Sequence, residues 1–343
     1  MRVLVTGASG FLGSHVAEAC LRAGDEVRAL VRPTSDPGHL RTLPGVEIVH
    51  GDLGDTASLR AAAEGVDVVH HSAARVLDHG SRAQFWDTNV EGTRRLLEAA
   101  RDGGARRFVF VSSPSAVMDG RDQVDVDESI PYPRRYLNLY SQTKAAAERL
   151  VLAADAPGFT TCALRPRAVW GPRDRHGFMP KLLGRLLAGR LPDLSGGRRV
   201  TAALCHCANA AHACVLAARA DGVGGRAYFV TDAEPVDVWA FMAEVAEMFG
   251  APPPRRRVPP VLRDALVEAV ELAWRMPFLA HHHDPPLSRY SVALLTRSST
   301  YDTAAARRDL GYRPLVDRST GLEGLRSWVE EIGGPGVWTE GAR

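Results

Sequence analysis

Short runs of aliphatic and β-branched residues alternate with helical patterns through the first half of the chain. The strand-like runs lie at residues 2–5, 26–31, 46–50, 67–71, 107–111 and 160–164. Between them, apolar residues recur at helical spacing, which predicts helices at residues 14–23, 56–64, 84–102 and 140–153. Strands that alternate with helices in this way are typical of a parallel sheet covered on both faces. The pattern therefore predicts an α/β fold with a doubly wound parallel sheet.

The second half of the chain is less regular. Helical patterns lie at residues 180–191, 208–218, 236–249 and 261–274, a strand-like run at 227–230, and a last helix that ends near residue 332. We expect residues 1–170 to form the sheet domain. Residues 171–332 are expected to form a smaller C-terminal α/β lobe, with some segments that return to the sheet, and residues 333–343 a flexible tail.

A glycine-rich turn, Thr6–Gly13, joins the first strand to the first helix with the spacing G-x-x-G-x-x-G. Strand, turn and helix in this order are the context that a Rossmann-type dinucleotide site requires. Gly7 allows the tight turn, Gly10 lets the backbone approach a pyrophosphate, and Gly13 lets the helix pack closely on the strand. The open N–H groups at the helix N-terminus attract phosphates. The predicted contacts are Gly7, Ser9, Gly10, Phe11, Leu12 and Gly13.

The residue after the second strand selects the dinucleotide. It is Arg32, and no acidic residue lies between residues 27 and 35. A guanidinium pairs with the 2′-phosphate of NADP, whereas NAD enzymes place an acid there for the ribose hydroxyls. The sequence therefore favours NADP(H), with NAD(H) as the alternative if Asp36 folds back to the ribose. Asp52 and Leu53, after the third strand, are expected to meet the adenine, although Asp52 is also a common type of turn residue.

Tyr140 and Lys144 lie four residues apart on a predicted helix and therefore share one face. The ordinary pKa of a phenol, near 10, is too high for proton exchange at neutral pH. A neighbouring ammonium favours the phenolate, so we expect Lys144 to lower the pKa of Tyr140 and create a general acid/base. Lys144 is one of only two lysines in an arginine-rich chain, which makes its position informative.

Two adjacent serines, Ser112 and Ser113, follow the fifth strand. Ligands of doubly wound sheets collect at the carboxyl ends of the strands, where a hydroxyl can donate to a substrate carbonyl. Because neighbouring side chains on a strand point to opposite faces, only one of the two serines is expected to serve the site.

The glycine turn, the strand-end serine and the Tyr-x-x-x-Lys pair together resemble the extended short-chain dehydrogenases/reductases of the NAD-dependent epimerase/dehydratase superfamily. Further matches resemble the branch of 3β-hydroxysteroid dehydrogenases, sterol decarboxylases and 2-alkyl-3-oxoalkanoate reductases. They lie at residues 110–117, 164–172 and 311–314. The resemblance covers nearly the whole chain.

The resemblance implies roles for the residues that match. Ser113 corresponds to the catalytic serine, Tyr140 to the acid/base, Lys144 to the residue that binds the nicotinamide ribose, and Asn89 to the asparagine that supports a proton relay. Ala73 is implied to lie near the ribose. Pro166 and Val169 are implied to lie by the nicotinamide.

The chain departs from the branch in two places. Ala208 stands where the branch usually has an aspartate before Asn209, which weakens any contact inferred there. The hydrophobic membrane-associated helix of the animal enzymes is absent, because residues 261–274 are amphipathic. The resemblance also implies a homodimer that pairs the helices at 84–102 and 140–153 into a four-helix bundle.

Composition narrows the location and the partners of the protein. The formal net charge of +2 favours neither nucleic acid nor a membrane surface as a partner. We expect no secretion signal and no membrane-spanning helix, since no apolar run is long enough. Five cysteines in such a chain indicate reduced thiols and a cytoplasmic protein.

For three clusters of polar residues, we favour an interpretation in which no ligand is bound. Cys205, His206, Cys207, His212 and Cys214 match no standard zinc spacing, so we expect no metal site. The histidine run at 281–284 is interpreted as a solvated loop. The arginines at 255–257 are interpreted as a solvated turn, with an anionic substrate carrier as the alternative.

These residues predict an NADP-dependent ketoreductase or alcohol dehydrogenase for a fairly large apolar ketone or secondary alcohol, such as a steroid-like, polyketide-like or β-keto compound. One alternative is a nucleotide-sugar epimerase with tightly bound NAD. A second alternative is a non-catalytic redox sensor that binds NADP, although such proteins usually lack the Tyr–Lys pair. The C-terminal lobe is expected to set the substrate.

Overall fold

Parallel strands dominate the protein, whose computed structural model describes residues 1–76, 80–175, 177–254, 256–274, 276, 285 and 287–339, without the Phe178 side chain. The strands are β1 (Arg2–Thr6), β2 (Glu26–Val31), β3 (Val46–His50), β4 (Val68–His71), β5 (Arg107–Val111), β6 (Gln123–Val126), β7 (Thr160–Pro166), β8 (Val169–Trp170), β9 (Thr201–Ala202), β10 (Cys205–His206), β11 (Arg226–Val230), β12 (Val236–Asp237) and β13 (Ser299–Tyr301).

The central sheet has seven parallel strands in the order β11-β7-β5-β4-β1-β2-β3. The chain moves outward from β1 to β2 and β3, then crosses to the other side of β1 to add β4, β5, β7 and β11. This reversal between β1 and β4 is a topological switch point, which is where doubly wound sheets bind ligands. The predicted doubly wound sheet is therefore confirmed, and β11 returns to it from the second half of the chain.

Helices cover both faces of the sheet. They are α1 (Phe11–Arg22), α2 (Thr56–Ala63), α3 (Arg82–Trp86), α4 (Gly92–Asp102), α5 (Leu139–Ala153), α6 (Phe178–Leu187), α7 (Cys207–Ala217), α8 (Val238–Met248), α9 (Pro260–Ala273), α10 (Arg289–Thr296), α11 (Ala304–Asp309), α12 (Arg318–Glu331) and α13 (Gly336–Thr339). Side chains of β1 alternate between two cores: Val3 and Val5 pack with α1 and α7, whereas Leu4 packs with α2, α4 and α5.

The predicted long helix at 84–102 is helical throughout, and it runs from α3 to α4. A π-helical turn, Asp87–Glu91, lies between the two α-helical parts. Within this turn Asn89 and Val90 are buried, and Gly92 packs so closely on Leu53 that a Cβ at position 92 would lie 2.8 Å from the Leu53 Cβ. Such turns are rare and are often found at functional sites.

A third core fills the C-terminal lobe, where α6, α8, α9, α10 and α12 meet around Trp170. A four-stranded sheet, β12-β9-β13-β6, lies between this lobe and the main sheet. The sequence did not predict these strands, because runs of two to four residues are too short to show a strand pattern. The helix α10 was also not predicted.

The prediction of a flexible tail at residues 333–343 is wrong for residues 336–339, because these residues form α13. Trp338 is buried there, and its ring packs against Phe249 and Trp328 at centroid distances of 5.5 and 6.4 Å. The apolar area of one tryptophan is enough to anchor a short terminal segment. Residues 340–343 lie outside the described part. No helix in the described part of the chain is long and apolar enough to cross a membrane.

Candidate active site

The glycine-rich turn lies directly after β1, at the switch point. Gly7 has a φ of +68°, and a Cβ there would lie 2.7 Å from the Ala73 nitrogen. A Cβ on Gly13 would collide with the carbonyl oxygen of Gly7, whereas one on Gly10 would lie 3.1 Å from it. Close packing within the chain thus explains why glycine is needed at positions 7 and 13. Within the described residues, no side chain caps the N-terminus of α1, so its first N–H groups face the turn's open side.

Arg32 and Asp36 occupy the turn that follows β2. Arg32 is exposed, and its carbonyl accepts a hydrogen bond of 2.9 Å from the Ser35 nitrogen. The Asp36 carboxylate accepts a hydrogen bond from the Gly38 nitrogen and forms an ion pair of 3.2 Å with Arg41. The turn and Arg41 therefore already engage the acid that NAD binding would require.

Asp52 and Leu53 follow β3 at the same edge of the sheet. The Asp52 carboxylate accepts a hydrogen bond of 2.8 Å from the Gly54 nitrogen. This hydrogen bond is typical of a turn aspartate, which is the alternative that the sequence suggested for Asp52. Leu53 is buried in the core, and its carbonyl accepts a hydrogen bond of 3.1 Å from Arg95. The adenine contacts of both residues stay predictions.

Ser113 and Tyr140 meet at the carboxyl end of β5. Burial raises the pKa of Tyr140 to about 12, and the nearby hydroxyls of Ser113 and Ser115 act in the opposite direction and lower this pKa. Ser112 is buried, and its hydroxyl has no hydrogen-bond partner among the described residues. Of the two serines that the sequence left open, only Ser113 therefore reaches the phenol.

Ser115 is a site residue that the sequence analysis missed. Ser113 caps a 3₁₀ turn (Pro114–Val117), and its hydroxyl accepts a hydrogen bond of 3.2 Å from the Ser115 nitrogen. Both hydroxyls act on the pKa of Tyr140, although the buried Ser115 hydroxyl has no hydrogen-bond partner among the described residues. The signal was present in the sequence as Ser-Pro-Ser, because proline favours the first position of such a turn.

Lys144 lies beneath Tyr140 on α5, which begins at the side-chain cap of Asn138. The Lys144 Nζ donates a hydrogen bond of 2.6 Å to the Val111 carbonyl and lies 4.5 Å from the centre of the Phe110 ring. Burial lowers the pKa of Lys144 to about 7, and the charge of Glu148 opposes this effect. Burial is the largest effect on the pKa of Tyr140, and the expectation that Lys144 lowers this pKa stays a prediction.

Asn89 joins three segments around the site. Its Oδ1 accepts a hydrogen bond of 2.7 Å from the Arg75 nitrogen, and its Nδ2 donates to the Arg75 carbonyl and to the Thr143 hydroxyl. Its own carbonyl accepts a hydrogen bond of 2.7 Å from Thr93. Because the Asn89 Oδ1 and Nδ2 both have hydrogen-bond partners, the geometry favours a structural role, in which Asn89 holds the loop after β4 against α5. It favours this role over the predicted proton relay.

His71, another residue that the sequence analysis missed, is fully buried at the end of β4. Its Nδ1 lies 2.7 Å from the Thr6 hydroxyl, and its Nε2 lies 2.9 Å from the Thr93 hydroxyl. Thr93 donates to Asn89, so it accepts from His71, and Thr6 donates to His71. The glycine turn is thereby connected to the segment around Asn89.

The other predicted cofactor contacts lie at the same sheet edge. Ala73 donates a hydrogen bond of 3.3 Å to the Thr6 hydroxyl. Pro166 ends β7 beside Val230, and Val169 begins β8 opposite Cys205. The structure thus brings the carboxyl ends of β1, β4, β5 and β7 together around one cleft, and the dinucleotide contacts stay predictions.

A small apolar cavity of about 20 Å³ lies in the C-terminal lobe. Residues that line it include Arg167, Met179, Leu182, Leu204, Phe241 and Leu295. At the cleft, the ring of Tyr290 meets the ring of Tyr140 edge-on, with 6.4 Å between centroids.

The residues described include no cluster of three or more side chains arranged to hold a metal ion. All five cysteines are buried free thiols, and burial raises the pKa of Cys205, Cys207 and Cys214. The histidine run at 281–284 and Arg255 lie outside the described residues.

A family model described as "3-beta hydroxysteroid dehydrogenase/isomerase family" matches residues 4–260. A 4-hydroxy-2-methyl-3-oxo-4-farnesyl-3,4-dihydroquinoline-1-oxide ketoreductase from Stigmatella aurantiaca is 38% identical over 95% of this chain and 96% of its own length. A 3 beta-hydroxysteroid dehydrogenase/Delta 5-->4-isomerase from Mycobacterium tuberculosis is 37% identical over 94% of this chain and 88% of its own.

Among solved structures, MoeE5 in complex with UDP-glucuronic acid and NAD superimposes with a TM-score of 0.73 and 26% identity. The match covers 97% of this chain and 100% of that one. These similarities agree with the Rossmann-type sheet and with a nicotinamide dinucleotide as the kind of cofactor.

Proposed function

The chain belongs to the 3-beta hydroxysteroid dehydrogenase/isomerase family of extended short-chain dehydrogenases/reductases, which is an oxidoreductase family, and from this premise we propose that it is an NADPH-dependent ketoreductase. The observation that carries the proposal is the meeting of Ser113 and Tyr140 above Lys144, at the sheet edge that the glycine turn occupies. The turn's uncapped helix N-terminus and its glycines fit a dinucleotide pyrophosphate.

Each residue has a defined task in the proposed reaction. A bound nicotinamide supplies or accepts the hydride. The Ser113 hydroxyl holds the substrate carbonyl oxygen, and Tyr140 gives the proton to that oxygen or takes it back. Lys144 sits one turn below, and because burial brings its pKa to about 7, it can exchange a proton near neutral pH. We propose that Asn89 positions α5 rather than carrying protons.

NADP(H) is the proposed cofactor, with NAD(H) as the alternative. Exposed Arg32 offers a guanidinium to a 2′-phosphate, and Asp36 already pairs with Arg41. We expect Arg32→Asp to lower kcat/KM for NADPH about tenfold or more, because a charge-assisted pair becomes a repulsion. Steady-state rates with both dinucleotides measure this, and an unchanged preference for NADPH would contradict the assignment.

The proposed substrate is a fairly large apolar ketone or secondary alcohol. The name of the 38% identical ketoreductase, whose substrate carries a farnesyl group, supports this choice, and so does the apolar lining of the small cavity in the C-terminal lobe. We also propose that residues 1–170 bind the dinucleotide and that residues 171–332 supply most of the substrate site. A homodimer through α4 and α5 follows from the family resemblance and is testable by sedimentation.

The test of the proposal is oxidation of NADPH or NADH against a panel of apolar ketones by the purified protein. Tyr140→Phe is expected to lower kcat at least about 100-fold, because the general acid is lost. Turnover by neither dinucleotide with any ketone would contradict the proposal.

A second candidate is a nucleotide-sugar epimerase, which the similarity to MoeE5 supports. The apolar lining of the cavity argues against it, because a sugar nucleotide needs many polar partners. Conversion of UDP-glucuronic acid without net change in the dinucleotide would favour this candidate.

A further inference from the structure

Two residues with a left-handed backbone bracket the segment that follows β7. Ala168 has a φ of +43° and Arg173 a φ of +73°, and Asp125 is the only other non-glycine residue of the described chain with a positive φ. Side chains disfavour this conformation, so it persists only where the surroundings hold it, and it is common at ligand clamps. We call residues 168–173 the strap. It begins just beyond β7, at the sheet edge that faces the cleft.

Two contacts fix the middle of the strap to the second half of the chain. The Trp170 ring is buried in the core of the C-terminal lobe, and its Nε1 donates a hydrogen bond of 2.9 Å to the Asp232 carboxylate. Gly171 lies against the start of α7, where an added Cβ would be 2.6 Å from the Cys207 Sγ. Close packing therefore holds the strap on this side.

The other end of the strap is attached to α1 through Arg173. The Arg173 Nη1 donates a hydrogen bond of 2.7 Å to the Glu18 carboxylate, and its Nη2 donates to the His15 Nδ1. The His15 Nε2 donates a hydrogen bond of 2.9 Å to the Pro172 carbonyl. These bonds require a neutral His15 ring, and burial lowers the pKa of His15 to about 3. One arginine thus binds two residues of α1.

The residues that Arg173 binds lie close to the end of α1 that is proposed to receive the pyrophosphate. The His15 ring packs edge-on against the ring of Phe11, the first residue of α1, with 5.6 Å between centroids. At the opposite end, the strap contains Val169, and Pro166 lies just before it. Both are predicted nicotinamide contacts. The strap therefore connects the two proposed halves of the dinucleotide site.

We propose that Arg173 is a positioning residue for the dinucleotide: its bonds to His15 and Glu18 fix the strap against α1 before the dinucleotide binds. The inference rests on the proposed function. A site that is already ordered loses less conformational freedom when its ligand binds. Replacement of Arg173 should therefore weaken binding of the whole dinucleotide, whereas the adenosine half, which is proposed to bind at Arg32, should be unaffected.

The first experiment measures binding and does not require turnover. NADPH and 2′,5′-ADP, which carries the adenosine and the 2′-phosphate but no nicotinamide, are titrated into the purified protein by calorimetry. We expect Arg173→Ala to raise the dissociation constant of NADPH at least about tenfold and that of 2′,5′-ADP less than about twofold. If the protein prefers NADH, the corresponding pair is NADH and AMP.

Arg219→Ala is the matched control, because Arg219 forms an ion pair at the far end of the same helix. Its Nη2 lies 2.7 Å from the carboxylate of Asp25, just beyond the C-terminus of α1. This variant should leave both dissociation constants unchanged. Arg173→Ala should fold, because Arg22 and His39 also contact the Glu18 carboxylate, and melting temperatures check this.

Two further variants separate the Arg173 side chain from its backbone. Arg173→Gly relieves the left-handed conformation but loses the bonds to α1, so it should weaken NADPH binding at least as much as Arg173→Ala. Arg173→Lys keeps the charge but lacks a fork that reaches two partners, so it should recover part of the affinity. Full affinity in Arg173→Gly would overturn the proposal, because the side chain would then have no role.

An unchanged dissociation constant for NADPH in Arg173→Ala would also overturn the proposal. So would an equal loss of affinity for 2′,5′-ADP, or an equal loss in Arg219→Ala, because either result would assign the effect to the fold of α1 as a whole. If NADPH binding depends on Arg173 but no ketone is reduced, the role of Arg173 is supported and the reductase function fails. Binding of neither NADPH nor NADH by the wild-type protein would overturn both.

Discussion

Glu148 and Arg165 form a buried ion pair directly beneath the proposed active site. Arg165 donates through Nε at 3.0 Å to Oε2 and through Nη2 at 2.6 Å to Oε1, and the two side chains are 3% and 0% exposed. The Tyr132 hydroxyl donates a further bond of 2.6 Å to the same carboxylate. Glu148 lies one helical turn beyond Lys144, and its charge raises the pKa of Lys144. The pair thus holds α5 against β7 and supports the charge of Lys144.

Glu148→Gln should lower the free energy of unfolding by about 3–5 kcal/mol, because it leaves the Arg165 guanidinium buried without a counter-charge. Urea denaturation measures this. The matched control is Glu330→Gln, which breaks the exposed pair of Arg326 and Glu330 and should cost less than about 1 kcal/mol. Similar values for the two variants would show that the buried pair has no special role.

The serines after β5 give a second prediction. Ser113→Ala should lower kcat/KM about 100-fold, because a donor to the carbonyl oxygen is removed. Ser115→Ala should mainly shift the pH profile: since the Ser115 hydroxyl lowers the pKa of Tyr140, its loss raises the pH at which alcohol oxidation reaches half of its maximum.

Ser112→Ala is the control for both serine variants, because the Ser112 hydroxyl, unlike those of Ser113 and Ser115, does not act on the pKa of Tyr140, and its loss should not affect the rate. The measurement is kcat/KM against pH for all three variants. An effect of Ser112→Ala as large as that of Ser113→Ala would contradict the geometry.

The sheet and its switch point were predictable from sequence, because strands such as Arg2–Thr6 are short, apolar and separated by helical patterns. The tight turn at Gly7 and the place of Tyr140 on α5 were predictable because their spacing repeats a known chemical arrangement, whereas their roles in binding and catalysis stay predictions. The positions of Ser115 and His71 were not predictable, because Ser115 depends on a tight turn and His71 on contacts between segments far apart in sequence. The raised pKa of Tyr140 was not predictable either, since spacing indicates a neighbouring charge but not burial.

The buried His71 gives a third prediction, because it connects Thr6 of the glycine turn to Thr93. His71→Leu leaves two buried hydroxyls without this partner and should cost about 1–3 kcal/mol of unfolding free energy. It should also weaken NADPH binding, because Thr6 precedes Gly7. Calorimetric titration measures the affinity, and an unchanged dissociation constant in a folded variant would contradict the connection.

Unlike His71, the neighbouring His70 forms no hydrogen bond to the described residues through its ring. It is fully buried, and neither ring nitrogen has a hydrogen-bond partner among the described residues. Burial lowers its pKa to about 4. As the pH falls below the ordinary value of 6.5, the unfolded chain therefore takes up a proton at this position before the folded protein does. The contribution of the neutral His70 ring to the free energy of unfolding is therefore complete above pH 6.5, and it is lost progressively as the pH falls toward 4.

His70→Leu should accordingly reduce the acid sensitivity of the fold. Between pH 6.5 and pH 5, one such histidine costs about 2 kcal/mol, at about 1.4 kcal/mol per pH unit. The wild-type protein should lose this amount, in addition to the losses from other groups, and His70→Leu should be spared it. Urea unfolding at both pH values measures the difference, with the exposed His50→Gln as control. If His70→Leu and the wild-type protein lose equal stability, the proton taken up on unfolding is not bound at His70.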